Sequence, residues 1–215
     1  MYRYCFFDLD GTLTDPAEGI TRSVQFALAH FGIEVPAESL TDFIGPPLLE
    51  QFMAYAGFDR EQASEAIVWY RKRFSVTGIF ENRVLDGVPE MLKTLTDAGR
   101  ILCVSSSKPE FYVRRILDRF GLTDRFSVIC GSELDGRRTD KAEVIEETVR
   151  RLGYVGDRRD ILMIGDRIHD IEGAEACKID ALGVTFGFAP EGELERSCAV
   201  GLVDSPAAAA AFILR

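Results

Sequence analysis

Two carboxylates stand two residues apart in the run Phe6-Phe7-Asp8-Leu9-Asp10-Gly11-Thr12-Leu13-Thr14-Asp15. The apolar residues before them read as a buried strand, so Asp8 and Asp10 fall at its carboxyl end, where open α/β sheets bind ligands. Asp-Gly is also a common turn dipeptide, and the pair taken alone could simply close the strand. Three further strand ends change that balance. Ile101-Leu102-Cys103-Val104 runs into Ser105-Ser106-Ser107-Lys108-Pro109. Hydroxyls and backbone N–H groups at a strand-to-helix junction suit an anion, although helix capping would use the same residues. Asp140 and Glu143 carry the signature of a capping box, which places Lys141 in a first helical turn where the dipole disfavours a cation. Ile161-Leu162-Met163-Ile164-Gly165-Asp166-Arg167-Ile168-His169-Asp170 sets two carboxylates four residues apart, on one face of a helical turn. If the strand ends meet, Asp8, Asp10, Asp166 and Asp170 crowd together. Such a cluster repels itself unless a cation joins it. An all-oxygen set with room for water favours Mg²⁺ over zinc or copper.

The elements that must position these residues alternate. Strands are expected at Tyr2–Asp8, Ile101–Ser105, Phe126–Cys130, Ile161–Ile164, Ala181–Thr185 and Ala199–Val203. They are compact apolar runs with little in–out alternation, as strands buried on both faces of a parallel sheet should be. Helices are expected at Val88–Ala98, Pro109–Phe120, Asp140–Leu152 and Asp170–Cys177, with Gly99 and Gly121 as stops. This rhythm predicts a doubly wound, mostly parallel α/β sheet. The stretch 15–82 breaks it, with helical patterns at Ala17–Phe31, Pro47–Ala56 and Glu61–Phe80 and no strand pattern. The expected organisation is therefore an α/β core of residues 1–14 and 83–215 with a small helical domain, 15–82, inserted after the first strand. Ala207–Ala211 predicts a terminal helix. Phe74, Phe80 and Trp69 read as core of the insert.

The chain has 215 residues, 25 basic and 35 acidic, for a formal net charge of −10. So acidic a surface argues against nucleic acid and anionic lipid as partners, because phosphate contacts need cations. No apolar run is long enough to cross a bilayer, and Asp8 interrupts the amino-terminal apolar run too early for a signal-peptide core. Five scattered cysteines without paired spacing predict neither a disulfide framework nor a zinc site, and point to the reducing cytoplasm.

The ordered set Asp8-x-Asp10-Gly11-Thr12, a strand-end serine, Lys141 and Gly165-Asp166-x-x-x-Asp170 resembles the haloacid dehalogenase superfamily. Within it the likeness is to the phosphoglycolate-phosphatase-like branch, which includes 5′-nucleotidase-like members. Leu13-Thr14-Asp15-Pro16, Ile44-Gly45-Pro46-Pro47-Leu48 and Gly131-Ser132-Glu133-Leu134-Asp135-Gly136 add to it, so the resemblance covers nearly the whole chain. It implies a Rossmann-like core with a helical cap acting as a mobile lid. It also implies Mg²⁺-dependent hydrolysis of a small organic phosphomonoester through an aspartyl phosphate. Asp8 would be the nucleophile and Asp10 the general acid and base. Mg²⁺ would be held by Asp8, the Asp10 carbonyl and Asp166, with Asp170 orienting a bound water or Lys141. Lys141 and Ser106 would neutralise the transferring phosphoryl group, although Ser105 is the alternative hydroxyl. Thr12, Ser105, Ser107, Gly45 and Arg22 are further candidates for substrate contact, but Arg22 with Glu18 also reads as a surface ion pair. His169 has no defined role. A phosphomutase is the nearest alternative, and an aspartyl-phosphate signalling module without turnover is a second. A monomer or homodimer is expected.

Overall fold

The computed structural model describes residues 2–215. In chain order the elements are β1 (Tyr4–Phe7), β2 (Thr14–Asp15), α1 (Ala17–His30), α2 (Leu48–Ala56), α3 (Arg60–Phe74), β3 (Arg83–Val84), α4 (Val88–Asp97), β4 (Ile101–Pro109), α5 (Glu110–Arg119), β5 (Val128–Ser132), α6 (Lys141–Leu152), β6 (Ile161–Gly165), α7 (Ile168–Ala176), β7 (Asp180–Val184), β8 (Gly201–Val203) and α8 (Pro206–Ile213). They form two compact units, one comprising residues through Thr14 with Val84–Arg215, the other Asp15–Arg83.

The first unit is built on a six-stranded sheet of order β5-β4-β1-β6-β7-β8, parallel throughout. Every residue of β1 is buried, as a central strand covered on both faces requires. Tyr4 and Phe6 point into a cluster with Ile145 and Val149 of α6, Ile171 and Ala174 of α7, and Met163. Cys5 and Phe7 point to the opposite face by the two-residue period. The register sets the site. Phe7 lies level with Val104 on one side and Ile164 on the other, so the residues that follow these three emerge side by side at one edge. The chain winds outward from β1 through β4 to β5, then crosses to β6, β7 and β8, and this edge is where such a reversal opens a crevice. Cys5, Cys103, Cys130 and Cys177 are buried free thiols, and Cys198 is an exposed one.

Strand β4 runs on to Pro109, with a register irregularity against β5 between Ser105 and Pro109. A strand ending at Ser105 was expected; the three serines and Lys108 are polar but extended. Gly131 of β5 permits this, since a Cβ there would stand 2.5 Å from the Lys108 carbonyl oxygen. The two-residue strands β2 and β3 pair with each other and are too short to leave a sequence pattern. Strand β5 is an edge strand, and the guanidinium groups of Arg114 and Arg151 both donate to its Ile129 carbonyl, at 3.0 and 3.1 Å. Such occupation blunts an edge that could otherwise pair with another chain.

Arg151 also bonds Glu110 and Glu147. Hydrogen bonds from Arg150, and then from Arg151, pull the Glu147 carboxyl down to about 2. A carboxyl depressed in the folded state stabilises above its unfolded value and loses that contribution as the pH falls toward 2. Glu147→Gln is therefore expected to lower unfolding free energy by about 0.5–1 kcal/mol at pH 7. Wild type and variant should converge between pH 4.5 and 2 in denaturant titrations. A difference independent of pH would refute the ionic origin.

In the helical unit α1 packs along α3, and α2 against α3. Asp59 and Gln62 form the capping box that starts α3, and Gly57 closes α2 in the left-handed conformation. The expected aromatic core divides. Phe74 is buried and stacks on Tyr70, but Trp69 is only half-buried, between His30, 3.9 Å from its ring, and the Lys72 ammonium at 3.3 Å. Phe80 is 38% exposed, because the chain leaves α3 at Phe74 and re-forms only a short turn at Gly78–Phe80. The expected continuous helix to Phe80 is thus interrupted.

Candidate active site

Asp8 follows β1 directly, and its N–H still donates to Ile164 at 2.9 Å, so its backbone keeps sheet register at the strand's carboxyl edge. Leu9 is fully buried, and the amides of Leu13 and Thr14 both return to its carbonyl at 2.9 Å. This turn requires Gly11, whose φ is +79°; a Cβ there would overlap the Asp166 carboxylate. Thr12 is buried, with its hydroxyl 3.4 Å from Asp166 Oδ1.

On β4 the serines divide their tasks. The Ser105 hydroxyl pairs with Thr148 of α6 at 3.0 Å, and its carbonyl accepts from Lys141 Nζ at 3.1 Å. The Ser106 hydroxyl accepts the Lys108 N–H at 3.3 Å, and Ser107 is half-buried. The Lys108 ammonium lies 2.5 Å from Asp10 Oδ2, both side chains being almost covered. The other Asp10 oxygen, Oδ1, is buried without a partner.

Asp140 caps α6 by accepting from the amides of Ala142 and Glu143, which places Lys141 at the first helical position. The Lys141 ammonium is buried between Asp8 Oδ1 at 2.8 Å and Asp170 Oδ1 at 2.6 Å. Gly173 leaves room for its stem. Asp170 accepts the Arg167 N–H at 3.1 Å, and Asp166 accepts the Phe188 N–H at 2.8 Å. Oxygens of Asp8, Asp166 and Asp170 all lie within 4.8 Å of one another.

Burial, opposed by Lys108, holds Asp10 above the ordinary carboxyl range. Burial and then the charges of Asp170 and Asp8 push Asp166 well above it. Burial likewise raises Asp170 against the pull of Lys141. Burial would depress Lys141, but the charges of Asp170 and Asp8 outweigh it and keep the ammonium protonated. Four carboxyl groups (Asp8, Asp10, Asp166, Asp170) face only two ammonium groups (Lys108, Lys141), so positive charge is in deficit. That deficit, together with three converging hard oxygens, fits one divalent cation of the Mg²⁺ type.

The α/β unit thus contains Asp8, Asp10, Thr12, Ser105, Ser106, Ser107, Lys141, Asp166 and Asp170 at one sheet edge. The carboxylates of Asp8, Asp166 and Asp170 form the converging group, while that of Asp10 is held by Lys108. Arg22 and Gly45 belong to the helical unit. There Arg22 pairs with Glu18 at 3.0 Å and lies 3.8 Å from Glu81, and Gly45 takes a φ of +105° before Pro46-Pro47. His169 is exposed. Lys108, the partner of Asp10, is a further functional residue, and a lysine closing a polar strand end is its signal in the sequence. Phe188 and Glu193 also hold the site, and no local pattern marks them.

The parallel α/β fold, with carboxylates and a buried lysine converging at one sheet edge, is that of a phosphoryl-transfer class of enzyme. Residues 5–184 match the haloacid dehalogenase-like hydrolase family. A 5′-nucleotidase of Pseudomonas aeruginosa is 51% identical over 194 residues, covering 90% of this chain and 87% of that protein. A phosphoglycolate phosphatase of Agrobacterium fabrum is 32% identical, with 88% and 84% covered. The tyrosine-protein kinase PtkA of Mycobacterium tuberculosis is 43% identical over 183 residues, 85% of this chain but 62% of that protein. A predicted phosphatase from Clostridium acetobutylicum, known as a crystal structure, superimposes with a TM-score of 0.94 at 44% identity, covering 100% of this chain and 99% of the other. The chain belongs to the haloacid dehalogenase-like hydrolases, and within them it is a phosphoric monoester hydrolase.

Proposed function

We propose that this phosphatase is Mg²⁺-dependent and hydrolyses small organic phosphomonoesters, nucleoside 5′-monophosphates first and phosphoglycolate second. The observation that carries the reading is Lys141 locked between Asp8 and Asp170 in a cluster where carboxyl groups outnumber ammonium groups. Likeness to the 5′-nucleotidase over nearly the full length of both chains supports the order of substrates.

The Asp8 carboxylate attacks phosphorus and the P–O bond to the leaving alcohol breaks, giving an aspartyl phosphate. Protonated Asp10, its carboxyl raised by burial, gives its proton to the leaving oxygen. As the resulting base, Asp10 takes a proton from water, which attacks phosphorus, breaks its bond to Asp8 and releases inorganic phosphate. Lys141 and the Ser106 hydroxyl hold the phosphoryl oxygens. Asp8, Asp166 and the Asp10 carbonyl, with Asp170 behind them, would hold Mg²⁺, which would supply charge neutralisation for the phosphoryl group. The helical unit Asp15–Arg83 is assigned the selection of the leaving group, with Gly45 and Arg22 as its candidate contacts, as the family resemblance implies.

The test is phosphate release from a panel of nucleoside monophosphates, phosphoglycolate and sugar phosphates, with and without a chelator. Loss on chelation and return with Mg²⁺ is expected, and turnover that survives chelation would refute the metal requirement. Interconversion of a sugar phosphate without release would move the assignment to a mutase. Within the same assay Ser106→Ala should cost about 10²–10³-fold in kcat, as removal of one oxyanion donor does. Ser105→Ala, whose hydroxyl is engaged with Thr148, should cost less than Ser106→Ala while losing about 1 kcal/mol of stability. The reverse order would make Ser105 the phosphoryl contact.

A further inference from the structure

We infer that Glu193 is a positioning residue for the divalent cation, acting through Arg167 and the first turn of α7 on the carboxylates of Asp166 and Asp170. The inference rests on the cation reading above. Glu193 Oε1 accepts both the Ile168 N–H at 2.8 Å and Arg167 Nε at 2.9 Å, and Oε2 accepts Arg167 Nη2 at 3.2 Å. The gripped residues, Arg167 and Ile168, are the ones that directly follow Asp166 and lead to Asp170. One carboxylate therefore fixes the peptide between two carboxylates of the cluster, and satisfies an amide that the start of α7 leaves without a helical partner.

Two features make Glu193 a rigid support rather than a surface ion pair. The pair is largely covered, with side-chain exposures of 12% and 15%. Leu194, the next residue, is buried in the core cluster beneath β6 and β7, which anchors the Glu193 backbone. The loop leading to it grips the site a second time. Its Phe188 N–H holds Asp166 Oδ2, and Gly187 lies so close that a Cβ would overlap the Asp166 side chain. The segment 187–193 thus contacts both Asp166 and the start of α7, the helix that carries Asp170.

The test is Mg²⁺ titration by calorimetry on the wild-type protein and on Glu193→Ala and Glu193→Gln. Glu146→Gln, which removes a surface ion pair with Arg158 elsewhere in the same unit, is the control. Glu193→Ala should weaken Mg²⁺ binding about 10-fold or more, within the range for outer partners of metal ligands. Glu193→Gln, which can still accept from Ile168, should fall between, and Glu146→Gln should match wild type. Unchanged Mg²⁺ affinity in Glu193→Ala or, should that variant not fold, in Glu193→Gln would overturn the inference and leave a structural contact only. A wild-type protein that hydrolyses substrate without binding Mg²⁺ would instead overturn the cation reading, and this inference with it.

Discussion

Asp8→Asn is expected to lose at least about 10⁴ in kcat, the scale seen when one member of a cooperating nucleophilic centre is removed. The variant should nevertheless be at least as stable as wild type when free of metal. Asparagine keeps an oxygen where Asp8 Oδ1 accepts from Lys141 at 2.8 Å, so the ammonium is not stranded. It removes one of the charges that push Asp166 and Asp170 upward. It also removes a cation ligand, so the gain in Tm on adding Mg²⁺ should shrink. Phosphate release and thermal unfolding, each with and without Mg²⁺, read these effects separately. Turnover close to wild type would rule out attack by Asp8. A large drop in metal-free Tm would mean that the Asp8 charge stabilises the fold, contrary to the crowding described here.

The parts of this site that were legible in the sequence are those generated by local rules. A strand buried on both faces must be apolar, so Tyr4–Phe7 and Ile161–Gly165 show as runs whose polar successors mark the sheet edge. Asp140 announces α6 because an unpaired helix amide needs an acceptor. The hidden parts depend on which strand lies beside which. Lys108 meets Asp10 across ninety-eight positions only because β4 is extended past the point where its residues turn polar. Ser105 and Ser106 are adjacent and chemically identical, and the sheet's alternation sends one to Thr148 while the other serves the Lys108 backbone. Glu193 lies twenty-five residues from Ile168 in a loop with no regular period, where composition carries no signal of its partner. The division of Phe74 from Phe80 has the same origin, since an interrupted helix changes face without changing residue type.

Lys141→Met should be the most destabilising of these substitutions, by about 3–5 kcal/mol in metal-free protein, because it strands buried carboxylates that now repel each other. For a chain of this size that corresponds to roughly 6–20 °C in Tm. Methionine matches the lysine stem in length and apolar character, so packing against Gly173 is retained and the loss reports the ammonium. Mg²⁺ should restore a larger share of Tm in the variant than it adds to wild type, since the cation then meets a greater charge deficit. Activity should not return, because the phosphoryl group has lost its fixed positive partner. The double variant Lys141→Met, Asp170→Asn separates charge from shape. Asp170 is the nearer partner of Lys141, at 2.6 Å, so neutralising it removes the largest stranded charge and should recover most of the metal-free stability without recovering phosphate release. If the double variant is as unstable as the single, the ammonium acts through packing and not through charge. The reading of this cluster as a cation site short of positive charge would then lose its electrostatic basis.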